Sequence, residues 1–195
     1  MKNILLFWIV LVISCSGRAT NKQENYTQLE VKVEKCYDDW FGKNNVDWDD
    51  LQKSFEEYFT SFGISKTDEP IEKQYENILS YISRPIHGFP KLKDKKKIIE
   101  IRNKLKLSEK DIFSYKQLSC YTDIYIQNKK NIDTTSCFYV FGSCFEDITQ
   151  IPDISPGLLA SAILMFIDIE ELKKPIYQKT IILMYYFTFA AKLSD

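Results

Sequence analysis

His87 is the single imidazole in 195 residues, so His-rich zinc sites and the His-Glu-x-x-His pattern are excluded. Any nucleophile–base pair working through histidine would have to use it. It stands in Arg84-Pro-Ile-His-Gly-Phe-Pro90, a loop bounded by prolines, where a functional side chain can be presented. No serine sits in a Gly-x-Ser-x-Gly elbow, and no cysteine has a recognisable catalytic neighbourhood. His87 therefore reads as a loop histidine and a candidate binding residue, with no catalytic set around it.

Asn45, Asp47 and Asp49 alternate as calcium-loop ligands do, and Glu56 falls at position 12 when Asn45 is position 1. The remainder of that pattern fails. Asp50 stands where the sharp turn wants glycine, and the polar Gln52 is at position 8. Asp47 as a helix N-cap with acids in the first turn explains the same residues. Asp47 and Asp49 are kept as candidate binding residues, and no metal or cofactor is expected.

Charge is uneven along the chain. Asp38 to Glu57 holds seven acids against two lysines, and Lys91 to Lys110 nine basic residues against three acids. Within the basic stretch, Lys95, Lys96 and Lys97 could meet lipid phosphates, or they form a solvated helix face turned toward the acidic patch. The whole chain has a formal charge of −1, which gives no general attraction to nucleic acid.

These residues sit on elements with helical periodicity. Thr27 to Glu30 is a capping box, after which Leu29, Val33, Cys36, Tyr37, Trp40 and Phe41 share one face and Gly42 can end the helix. Asp47 opens a second helix with Trp48, Leu51, Phe55, Tyr58, Phe59 and Phe62 inward, closed by Gly63. Pro70 starts a third, with Ile71, Tyr75, Ile78, Leu79 and Ile82 inward. Further helices are expected over about Asp94 to Lys106 and, started by Ser108 and Asp111, to about Asn128. Cys137 to Phe141 has strand composition, but Phe138, Phe141, Phe145 and Ile148 keep helical spacing, and helix is the reading. Ser155-Pro156 caps a helix reaching about Ile169, and Pro175 starts the last. These two read as a helical hairpin, each too short to span a bilayer. Tyr121, Tyr125 and Tyr186, off the apolar faces, could line a groove. The fold class is all-α: a single domain over residues 26–195 of seven or eight mostly antiparallel helices.

The N-terminus carries an address. Lys2 precedes an apolar run, Ile4 to Ile13, suited to the core of an export signal. Its ending, Val12-Ile13-Ser14-Cys15, resembles the lipobox of bacterial lipoproteins. That resemblance covers about fifteen residues. It implies cleavage after residue 14, lipidation of Cys15, a flexible tether through residue 25, and membrane attachment through the lipid. Ser16, where an Asp would favour inner-membrane retention, points by analogy to the outer membrane, facing the periplasm. Removing residues 1–14 takes away one lysine and no acid, leaving a charge of −2. Cys36, Cys120, Cys137 and Cys144 remain, enough for two disulfides in three possible pairings, or for buried free thiols.

Together these features suggest a non-catalytic binding or accessory component of a cell envelope, with an envelope protein as partner. An immunity protein using the Asp38–Glu57 cluster, or a hydrolase using His87, are the alternatives.

Overall fold

The computed structural model describes residues 28–84, 94–104, 119–150 and 155–193, with backbone alone at 102, 148–150 and 186–193. Among them are eight α helices and no strand: α1 (28–43), α2 (Trp48–Thr60), α3 (Ile71–Ser83), α4 (Lys95–Lys104), α5 (Ser119–Asn128), α6 (Cys137–Gln150), α7 (Pro156–Phe166) and α8 (Pro175–Leu193). Short 3-10 turns occupy Lys129–Asn131 and Ile169–Lys173. The all-α expectation holds, including α6, where helix prevails over strand. Phe138, Phe141 and Phe145 are fully buried on one α6 face. Ser136 caps its start, its Oγ accepting from the Tyr139 amide at 3.2 Å.

Local chemistry sets the helix ends. Asp47 caps α2 by accepting from the Asp50 amide at 3.1 Å. Gly63, at φ 67°, ends the following turn, and the Ile64 amide reaches back to the Phe59 carbonyl at 3.1 Å. The same closure ends α1, but not at Gly42. Asn45 takes the left-handed conformation at φ 49°, and the Val46 amide donates to the Phe41 carbonyl at 3.0 Å. Ending there lets Val46 turn inward to its buried position.

The core is organised on α8. Residues 176–185 are all buried, ten in succession, including Gln178, Lys179 and Thr180. A helix covered on every side must be central. α8 packs against α2, α4 and the Ile169–Lys173 turn, and α1 is hydrogen-bonded to it from Glu30 to Tyr37. Partners on α1 and α8 ascend together, Glu30 with Tyr177 and Tyr37 with Thr180, so these two helices run in the same direction.

α7 and α8 are not the paired hairpin that their sequence suggests. α7 lies on α3 and α6 while α8 goes to the centre. The 3-10 turn between them separates the two paths, capped by Asp168 accepting from the Glu170 amide at 3.1 Å. No described helix is long and apolar enough to cross a membrane.

Candidate functional site

Three polar residues within the buried run of α8 need partners, because an unpaired buried polar group costs about 1–3 kcal/mol. The partners come from α1, α2 and the 3-10 turn that precedes α8. Gln178 donates to the Leu172 carbonyl at 2.9 Å and accepts from Gln52 Nε2 at 3.1 Å. That amide also donates to Glu56, which accepts from the buried Tyr75 hydroxyl at 3.1 Å. Lys179, 7 % exposed, reaches outward to Asp38 at 2.6 Å and Glu34 at 3.6 Å. Its ammonium also lies 5.6 Å from the Trp48 ring centre. Thr180 meets the Tyr37 hydroxyl at 3.2 Å.

At the start of α8 a second cluster gathers around Glu30. Its buried carboxylate accepts from the Tyr177 hydroxyl at 2.5 Å and from Lys174 at 3.1 Å, and Lys174 also binds Glu171 at 2.7 Å. The residue that sequence assigns to a capping box thus holds α1 to α8; Thr27 lies outside the described residues. Burial lowers the Lys174 pKa, but the hydrogen bonds it donates to Glu171 and Glu30 more than offset it, and the ammonium is held above its ordinary value. Burial raises the Tyr177 hydroxyl well above its ordinary range, with Tyr121, Cys137 and Glu30 adding to it. Cys137 borders this cluster, and burial followed by the Glu171 charge keeps its thiol protonated. A protonated, buried thiol is a poor nucleophile.

The four described cysteines divide into one bridge and two thiols. Cys36 on α1 and Cys120 on α5 form a disulfide with Cα atoms 5.6 Å apart. Cys137 and Cys144 are free and buried, correcting their place as disulfide candidates. They stand seven residues apart on α6, about 10 Å along the axis, beyond the 4.4–6.8 Å that a disulfide tolerates. Burial, then the Asp147 charge, pushes Cys144 up to about 12.

The remaining candidates are scattered. Asp47 is consumed as the α2 cap, Asp49 is exposed, and Asp50 pairs with Lys104 at 2.7 Å, joining acidic α2 to basic α4. Glu56 turns inward to Tyr75, away from the cap, so the calcium-like spacing does not converge. Among the described residues no group of three or more metal-ligating side chains gathers. Lys95 and Lys96 are exposed and Lys97 half-buried at the start of α4, where the Asp94 carboxylate accepts from the Lys97 amide at 3.2 Å. Tyr121 and Tyr125 belong to the core, Tyr121 stacked on Phe138 at 4.7 Å, and line no groove. His87, Cys15 and the side chain of Tyr186 lie outside the described residues. The sequence reading missed Glu30, Lys174, Tyr177 and Lys179. The available signal was Gln178-Lys179-Thr180 interrupting an otherwise apolar final helix.

No family model, curated protein or solved structure matches this chain.

Proposed function

We propose that this chain is an exported, lipid-anchored component of a bacterial cell envelope, held at the outer membrane on the periplasmic side, and that it works by binding an envelope protein. The Cys36–Cys120 disulfide is the observation that carries the reading. It ties α1 to α5 across 84 residues, and such bridges persist in oxidising compartments outside the cytosol. It agrees with the export signal and with a Cys15 placed for lipidation. The chemistry inside the domain supports a binding role. The buried carboxylate, tyrosines and lysine of the α8 seams are engaged with one another, and burial keeps both free thiols protonated.

The test is a tagged pull-down from mildly solubilised envelopes, with acyl labelling of Cys15 followed in parallel. The expected result is acylation that Cys15→Ala abolishes, together with one stoichiometric envelope protein. An unlabelled Cys15 refutes the anchor. A bait that repeatedly emerges alone refutes the protein-binding role.

A further inference from the structure

α7 has no charged residue between Ser155 and Asp168. A helix that is apolar all round is ordinarily covered all round, and α7 is not. Pro156, Gly157, Leu159, Ala160 and Ile163 are buried, whereas Leu158, Met165 and Phe166 are 49, 73 and 60 % exposed. The exposed three fall at i, i+7 and i+8, so they form one stripe about two turns long.

That stripe ends near the point where the chain enters the domain. Lys174 binds both Glu171, five residues after Phe166, and Glu30 in the first turn of α1. Five residues of chain reach at most about 18 Å. The stripe therefore shares an end of the molecule with the start of α1, where Val31 is a further exposed apolar residue. The twelve residues between Cys15 and residue 28 reach at most about 42 Å, so an anchor there holds this end within that distance of the bilayer and lets it reach the surface.

We infer that the Leu158–Met165–Phe166 stripe rests on the membrane surface beside the anchor, with its side chains at the headgroup–acyl boundary; this deepens, and depends on, the proposed lipidation of Cys15. Charge selects the kind of surface. Glu170 and Glu171, just past the stripe, pair with Lys173 and Lys174, and Asp168 is exposed nearby. Such a flank offers no attraction to anionic headgroups, so seating is by apolar insertion into a zwitterionic layer such as phosphatidylethanolamine. A second copy fits less well, because three side chains supply roughly half of the about 800 Å² per partner that a stable dimer buries.

The test uses full-length lipidated protein in vesicles of phosphatidylethanolamine and phosphatidylcholine. Intact mass reports acylation of Cys15, and flotation reports anchoring. Peroxide oxidation of Met165 is then timed by peptide mass spectrometry in the wild type and in an L158E/F166E variant. Buried Met184 reports that each remains folded. Met165 should oxidise about tenfold more slowly in the wild type, the ratio that nine seated domains to one lifted would give, and salt should not change it. Equal rates in two anchored proteins overturn the inference and leave the anchor standing. Protection that grows with protein density on the vesicle also overturns it, in favour of a second copy. A chain without an acyl group fails earlier, at flotation, and refutes the anchor itself.

Discussion

Alkali should unfold this domain in one step, because burial raises an unusual set of acidic groups together. Cys137 and Cys144 lie above the ordinary thiol value of 9.0, and Tyr37, Tyr75, Tyr177 and Tyr185 above the ordinary phenol value of 10.0. The unfolded chain releases these protons once the pH passes 9 to 10, while the folded chain retains them. With fewer protons bound to the unfolded state, stability falls as pH rises. Each group withdraws about 1.4 kcal/mol per pH unit beyond its ordinary pKa, until its folded value is reached. By pH 11 the six together withdraw on the order of 10 kcal/mol, comparable to the 5–15 kcal/mol that holds a typical domain. Lys174 acts in the same direction, since its raised pKa contributes stability below 10.5 that disappears at higher pH. Far-UV circular dichroism and tyrosinate absorbance, followed together against pH, provide the assay. Helicity should collapse between about pH 10 and 11.5, with the buried tyrosines ionising in the same transition. If all tyrosines titrate smoothly near pH 10 while helicity persists, the burial argument is wrong.

Other perturbations isolate single contacts. A Cβ on Gly142 would stand 2.2 to 2.7 Å from three carbons of the buried Tyr125 ring, so Gly142→Ala should cost about 1–3 kcal/mol in urea unfolding; a change below half a unit would mean the ring moves freely. Replacing Cys36 and Cys120 by serine opens a cross-link spanning 84 residues and should cost about 4.5 kcal/mol by the chain-entropy account. Thermal melts with and without reductant check that, and coincident curves would show that the bridge does not contribute. Asp38→Asn leaves Glu34 near Lys179 and should cost about 1 kcal/mol, whereas adding Glu34→Gln strands a mostly buried ammonium and should cost about 3 kcal/mol. Strict additivity in that cycle would deny the shared role.

The elements with one local solution were legible in the sequence. Asp47 before an apolar run read as a helix cap, which explained it better than the calcium-like spacing, and Gly63 was the only residue near the end of α2 suited to a positive φ. For the end of α1, local preference pointed to Gly42. Burial of Val46 decided for Asn45, which is information held by the fold. Cysteine pairing was illegible for the same reason, since Cys36 and Cys120 meet only once α1 and α5 are packed. The α7–α8 hairpin failed because short connections favour neighbours without requiring them. The Asp168–Lys173 segment forms its own turn and sends the two helices to different partners.

The polar seams explain how a helix as apolar as α8 can occupy a single position. Ten consecutive residues are buried and all but Gln178, Lys179 and Thr180 are apolar, so apolar contact alone would tolerate rotation or a one-turn slide. Each polar partner removes one of those freedoms. Glu30 with Tyr177 and Lys174 fixes its start against α1, Lys179 with Asp38 and Thr180 with Tyr37 fix its rotation, and Gln178 with Gln52 fixes its height against α2. A slide of one turn, about 5.4 Å, would leave all of these groups buried and unmatched. Replacing Gln178, Lys179 and Thr180 by apolar residues of similar volume should therefore keep the domain compact and helical. What it should lose is the sharp, singly populated side-chain spectrum that NMR would record for the parent, and an unchanged spectrum would show that shape complementarity alone sets the register.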